Sequence, residues 1–284
     1  VACGTSYHAA MYGSVLLRRR GVQATALRAN EFAHDPMPVT DRTLVVAVTQ
    51  SGETADTLAS LRTAAASPAR TLAVTNVVGS SAVREADDAL LIRAGPEIGV
   101  AATKTFSSQI AALSLLADRL EADRDDGRTP RDTGALGSLP ALPRHVERVV
   151  ADGTAKRVAE EYAEMDSYFF IGRGVGYPVA LEGALKFKEI TYEHAEGFAA
   201  GQLKHGPLAL VTPDTAVVAV FTGRDDDVTL HNVREAQSRG APIIGIGPAG
   251  ASEVRETVDT YFEIPDTDPE LAGVLANVHL QLLA

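Results

Sequence analysis

One short pattern of residues occurs twice in this chain, and that repetition constrains the fold more than any other feature. Ala29, His34 and Pro36 return 171 positions later as Ala200, His205 and Pro207, and Val45-Val46-Ala47-Val48 returns 172 positions later as Val217-Val218-Ala219-Val220. Both copies lie in the same alternation of apolar runs. The first half predicts a strand feeding Gly4, a helix near Tyr7 to Arg19, a strand Thr43 to Val48, a helix from about Thr54 and a strand Thr71 to Thr75. From Ser167 the order returns as strand Tyr168 to Gly172, helix Pro178 to Tyr192, strand Ala216 to Phe221, helix Val228 to Ser238 and strand Pro242 to Ile246. Strands that alternate with helices make parallel βαβ units, so the expectation is a duplicated α/β domain. The halves are expected at 1–145 and 146–284, joined by a long helix, about Ala102 to Ala122, and a linker at about 123–143 rich in Gly, Pro and Asp.

At 284 residues the chain is long enough for two cores. It is 45% apolar and 22% charged, with no apolar run near the ~20 residues that a spanning helix needs, which excludes a membrane protein, a collagen or a disordered tail. The formal charge of −11 disfavours a nucleic-acid backbone or an anionic membrane as partner, so any phosphate must be held locally. The single cysteine, Cys3, allows no internal disulfide and fits a reducing, cytoplasmic setting. Both ends read as cut: the chain opens on Val1 inside a strand-like start and stops at Ala284 just after the helical run Val274 to Leu283.

After Val48 comes Thr49-Gln50-Ser51-Gly52-Glu53-Thr54, then helix-forming residues. A strand, a polar turn and a helix N-terminus together offer free backbone N–H groups, short hydroxyls and the positive end of a helix dipole, which suits a phosphate. Cys3-Gly4-Thr5-Ser6 is a second such turn, and ligands of open α/β sheets bind at these strand ends. Ordinary capping by Ser51 or Thr54 is the alternative for either turn alone. The corresponding turn of the second half, Thr222-Gly223-Arg224-Asp225-Asp226-Asp227, carries three carboxylates that would repel a phosphate. Neither a Gly-x-x-x-x-Gly-Lys-Ser/Thr loop nor a dinucleotide fingerprint is present, and Gly172-Arg173-Gly174-Val175-Gly176 lacks the spacing.

Only five residues are lysine, and three of them (Lys186, Lys188, Lys204) lie between 186 and 204. Glu182, Lys186 and Glu189 fall at i, i+4 and i+7 on one helix face, where a surface salt-bridge ladder and a reactive cluster are both open readings. The segment Tyr192-Glu193-His194-Ala195-Glu196 and the loop Gly201-Gln202-Leu203-Lys204-His205-Gly206-Pro207 add further titratable groups. A carboxylate with an imidazole can move a proton between adjacent sugar carbons and open a sugar ring. No histidines stand at metal-binding spacing and no cysteines pair, so neither a metal nor a cofactor is expected. Cys3, with no base beside it in sequence, reads as a small buried residue.

Five motifs in order, Cys3-Gly4-Thr5-Ser6-Tyr7, Thr49 to Leu58, Glu97-Ile98-Gly99-Val100-Ala101, Ala180 to Lys186 and Leu203 to Leu210, span nearly the whole chain. In these the chain resembles the isomerase region of the glutamine:fructose-6-phosphate aminotransferase family. The resemblance implies two tandem doubly wound parallel-sheet sugar-isomerase domains, flavodoxin-like and three-layered αβα. It implies that Ser6, Gln50, Ser51 and Thr54 bind a sugar phosphate, fructose 6-phosphate or glucosamine 6-phosphate, with Cys3, Gly4, Thr5 and Thr49 in the same turns and backbone near Val100 assisting. It further implies Glu189 as the base that shuttles a proton between C1 and C2, Lys186 beside it, and His205 assisting ring opening. In the family that histidine reaches the neighbouring subunit's site, so a homodimer with shared active sites is implied. Thr49 and Ala102 stand where the family usually has serine. The family's glutaminase domain and its carboxyl-terminal segment, which supplies a lysine, are not in this sequence, and a glutaminase domain is implied for the parent chain. A stand-alone amino-sugar-phosphate deaminase or isomerase, and a non-catalytic sugar-phosphate sensor, are the competing expectations.

Overall fold

The computed structural model of the chain describes residues 1–124 and 135–284, with side chains outside 122–136. Residues 125–134 of the expected linker lie outside the described residues. The chain divides into two compact units, Val1–Pro130 and Arg131–Ala284.

In the first unit α1 (Gly4–Arg19) and α2 (Ala29–His34) precede β1 (Leu44–Val48), and α3 (Ala55–Ala65), β2 (Arg70–Thr75), α4 (Ser81–Glu85), β3 (Asp88–Leu91) and α5 (Lys104–Arg124) follow. The three strands are parallel in the order β1-β2-β3, with Val46 opposite Leu72 and Val74 opposite Leu90. The expected opening strand is reduced to a bridge between Ala2 and Arg28, while the Val48 N–H donates to the Val1 carbonyl at 3.0 Å. Counted with that bridge, the segments run in the order 2-1-3-4-5, and the winding reverses between Ala2 and β1. Helices α1 and α5 pack together, as do α2 and α3. Ala47, Leu58, Leu61, Ala73 and Ala82 form one buried core cluster, in which truncating Leu61 would cost about 2–5 kcal/mol.

The second unit opens with α6 (Ala135–Ser138), a 3-10 turn at Leu139–Ala141, α7 (Leu142–Ala151) and α8 (Thr154–Tyr162). A boundary drawn at 145/146 would fall inside α7, which packs on the last helix of this unit. Then come β4 (Ser167–Gly172), α9 (Gly176–Thr191), β5 (Ala195–Ala199), 3-10 turns at Ala200–His205 and Pro207–Leu210, β6 (Thr215–Val220), α10 (Asp226–Gln237), β7 (Ile243–Pro248), α11 (Ser252–Thr257), β8 (Thr260–Ile264) and α12 (Ala272–Leu283). Five parallel strands run in the order β5-β4-β6-β7-β8, again 2-1-3-4-5. Every residue of β6 is buried, because helices cover both faces of a parallel sheet. Phe169, Ile171, Val217, Ala219 and Phe221 lead its main core cluster. The repeat is structural: α1 shifted by 172 gives the bounds of α9, and α2 shifted by 171 gives the 3-10 turn Ala200–His205.

Strand β5 was not expected, since its sequence Ala-Glu-Gly-Phe-Ala has no apolar run. It forms because Gly197 lets the strand lie against α9, where a Cβ would come within 2.8 Å of the Leu181 Cα. Within α9, Gly183 serves the same end: a Cβ there would meet Leu280 Cδ1 of α12 at 2.8 Å. The close seating of α9 on α12 and β4 fixes the face that carries Glu182, Lys186 and Glu189.

Candidate functional site

In the first unit, the turns after Ala2 and after β1 meet at the reversal of winding and enclose a cavity of about 120 Å³. Its walls include Cys3, Thr5, Ser6, Thr49, Gln50, Ser51 and Thr54, seven of the nine residues expected to bind substrate. Gly4, exposed at the start of α1, does not line it, and neither does Val100, whose side chain stands fully in solvent. Neither α1, whose N-cap is Cys3, nor α3, whose N-cap is Thr54, has a side-chain cap. Capping therefore does not consume the helix-start N–H groups, and the positive ends of both dipoles face this corner of the fold.

The turn itself is held by its own hydroxyls. Thr49 Oγ1 accepts the Gly52 N–H at 3.2 Å and lies 3.2 Å from Thr54 Oγ1, and Ser51 Oγ accepts the Glu53 N–H at 3.1 Å. Gly52 has φ +70°, and a Cβ there would collide with the Ser80 side chain, so no other residue fits without displacing the turn. Thr49, standing where serine is usual in the resembling family, keeps the hydroxyl that closes the turn.

Five further lining residues, Val48, Thr57, Ala102, Thr105 and Gln109, were not among the expected site residues. Thr57, Thr105 and Gln109 are each 1% exposed, and Thr57 Oγ1 and Gln109 Oε1 have no partner among the described residues. Their sequence signal was polarity at helix positions that should be apolar, Thr57 one turn after Thr54 and Gln109 one turn after Thr105. Unpaired buried polar atoms are costly, and both here border a cavity that a polar ligand can fill. Thr105 is anchored by Glu97, whose carboxylate accepts from Thr105 Oγ1 at 2.6 Å, from the N–H groups of Thr105 and Thr103 and from Lys104 Nζ at 3.0 Å. Burial pushes the Glu97 carboxyl up, but these hydrogen bonds overcome it and hold it at about 2.

In the second unit Lys186, 2% exposed, lies between two carboxylates on α9. Its ammonium donates to Glu189 Oε2 and stands 3.4 Å from Glu182 Oε1, which is wholly buried. Burial of Glu182 and Lys186 rules out the surface-ladder reading for this face. The Glu189 side chain remains 30% exposed, so the cluster presents one accessible carboxylate backed by a fixed positive charge. His205 is exposed at the end of its 3-10 turn, followed by Gly206 at φ +136°, and makes no hydrogen bond or ion pair with Glu182, Lys186 or Glu189.

The turn after β6 differs from its counterpart in one decisive respect. Asp226, at the place of Thr54, accepts the N–H groups of Thr222 at 3.1 Å and Gly223 at 2.9 Å. An internal carboxylate occupies the turn that the first unit leaves open. Burial raises the Asp226 carboxyl above its ordinary range, and those two N–H groups oppose that rise.

A duplicated doubly wound α/β protein with a hydroxyl-lined cavity at the first unit's reversal of winding is the class that fold and site define. The chain belongs to the SIS domain family, whose pattern matches residues 1–119 and 161–284. It is 50% identical over its whole length to the glutamine--fructose-6-phosphate aminotransferase [isomerizing] of Halobacterium salinarum and 47% identical to that of Symbiobacterium thermophilum. The chain spans about half, 47%, of the length of each of these curated relatives. Among solved structures it superposes on the C-terminal domain of glucosamine-fructose-6-phosphate aminotransferase from Francisella tularensis with a TM-score of 0.91 and 36% identity, covering 99% of this chain and 81% of that one. No described helix is long and apolar enough to cross a membrane.

Proposed function

We propose that this chain is the sugar-phosphate isomerase half of a glucosamine-6-phosphate synthase, which converts fructose 6-phosphate and an amino donor to glucosamine 6-phosphate. The observation that carries the reading is the cavity at the first unit's reversal of winding, walled by hydroxyls and flanked by two helix starts without side-chain caps. The names and coverage of the relatives support it.

The work divides between the units. In the first, Ser6, Gln50, Ser51 and Thr54 bind the phosphate, Thr49 fixes the turn, and the N–H groups of the helix starts meet the phosphate charge. In the second, Glu189 takes a proton from C1 of the open-chain sugar and returns it at C2, while the Lys186 ammonium supplies counter-charge and Glu182 holds that ammonium from behind. His205 moves a proton during ring opening, which suits an exposed imidazole on a turn set by Gly206 and Pro207. The parent chain carries a glutaminase domain as amino donor, and the enzyme works as a cytoplasmic homodimer in which His205 serves the neighbouring copy.

Calorimetric titration of the 284-residue chain with fructose 6-phosphate and fructose, followed by an NMR assay of isomerisation, tests the reading. Binding that requires the phosphate supports it. Failure to bind either hexose phosphate overturns it, and release of ammonia from glucosamine 6-phosphate by this chain alone replaces it with a deaminase.

A further inference from the structure

Ser6 lies in the first turn of α1 and Gln109 in the second turn of α5, 103 residues apart, where the two helices pack together. Gln109 Nε2 donates to Ser6 Oγ at 2.9 Å, the one hydrogen bond that Ser6's hydroxyl makes among the described residues. A serine hydroxyl has one hydrogen and two lone pairs, and here one lone pair is taken by the amide. Among the described residues no acceptor takes its hydrogen, and Ser6 lines the cavity. Gln109, 1% exposed, lines the same cavity, and its Oε1 is buried without a partner among the described residues.

We infer that Gln109 is a positioning residue for the phosphate: by donating to Ser6 Oγ it forces the Ser6 hydroxyl to act as a donor toward the cavity. The inference rests on the sugar-phosphate reading of this cavity. An amide is the side chain suited to the task, since it donates to Ser6 and adds no charge beside an anion. A carboxylate at the same place could only accept. The Ser6 hydrogen would turn toward it, Ser6 would face the phosphate with lone pairs, and two negative charges would share the cavity. Protonating that carboxyl would restore a donor and reverse the effect, and at so buried a position the carboxyl titrates well above its ordinary range.

The test is titration of the 284-residue chain with inorganic phosphate and with fructose 6-phosphate, in wild type, Gln109→Met and Gln109→Glu, each checked for fold by thermal melting. Gln109→Met is expected to weaken both ligands roughly tenfold, the size of one lost oriented hydrogen bond, with little change for fructose. Gln109→Glu is expected to weaken them roughly a hundredfold or more at pH 8 and to recover about tenfold relative to wild type at pH 5.5. Taking the variant-to-wild-type ratio at each pH cancels the titration of the phosphate itself. Loss of packing alone would give a ratio independent of pH. A flat ratio, or a folded Gln109→Met that binds within about twofold of wild type, overturns the inference. Should Gln109→Met lose its fold, the pH dependence of Gln109→Glu decides. A wild-type chain that binds neither ligand overturns the sugar-phosphate reading instead, a different result from variants that match a wild type that binds.

Discussion

The Asp226 carboxylate rests on the main-chain N–H of Gly223 at 2.9 Å, filling from inside the turn whose counterpart in the first unit carries Thr54 and stays open. Duplication supplied two turns of one plan, and in the second an internal carboxyl group takes the N–H groups of Thr222 and Gly223. Replacing Asp226 by Ala removes the carboxyl acceptor from two N–H groups. The second unit is expected to lose about 1–3 kcal/mol of stability, read by denaturant unfolding. Fructose 6-phosphate is expected to bind with a stoichiometry of one per chain before and after the change, since the first unit's cradle is untouched. A second equivalent bound by wild type would contradict the closed-turn account.

Ser51 makes the complementary case. Its hydroxyl accepts the Glu53 N–H at 3.1 Å, so it shapes the turn, and the residue lines the cavity proposed to take the phosphate. Ser51→Ala is expected to weaken fructose 6-phosphate roughly tenfold and fructose hardly at all, a difference that calorimetry resolves. Equal losses for both sugars would remove Ser51 from the phosphate contacts.

How far the sequence revealed this arrangement depends on whether the signal was local. The apolar runs that became β1, β2, β4, β6 and β7 and the polar turn Thr49 to Thr54 were legible because chain neighbours define them. The edge strands β3, Asp-Ala-Leu-Leu, and β5, Ala-Glu-Gly-Phe-Ala, were not, because partner strands and the close seating of Gly197 on α9 make them strands. Helix α2 is not legible in the sequence, since six residues give too short a period to read. Thr105 and Gln109 escaped as lining residues because their place at the cavity depends on α1 meeting α5 a hundred positions away. The Glu182, Lys186 and Glu189 spacing was visible, but only burial separates a surface ladder from a held cluster.

That cluster leads to a prediction about chemistry. Lys186 donates to Glu189 and is braced by Glu182, so Glu189 is the accessible oxygen base of the three. Glu189→Gln keeps shape and hydrogen-bonding capacity but cannot take up a proton. In the proposed synthase, isomerisation measured by NMR is expected to fall ~10²-fold or more, with fructose 6-phosphate affinity largely kept. Unchanged turnover would take Glu189 out of the proton transfer.

Acid should open the first unit from one definite point. Glu97, with its side chain 9% exposed, ties the segment before α5 to the first turn of that helix through Thr103, Lys104 and Thr105, and Thr105 lines the cavity. Its carboxyl is held at about 2 in the folded protein against an ordinary value of 4.5. Because the folded value is the lower one, Glu97's contribution to stability is fully present above about 4.5 and is lost as pH falls toward about 2, where both states are protonated. The lost contribution amounts to at most about 3 kcal/mol. Other carboxyls titrate over the same range, so the informative quantity is the difference between wild type and Glu97→Gln. Hydrogen exchange at the α5 amides reads that difference in the first unit alone. The gap is expected to be widest at pH 6 and to close progressively below 4.5, and a gap unchanged between pH 6 and pH 3 would mean that Glu97 holds α5 by shape and not by charge.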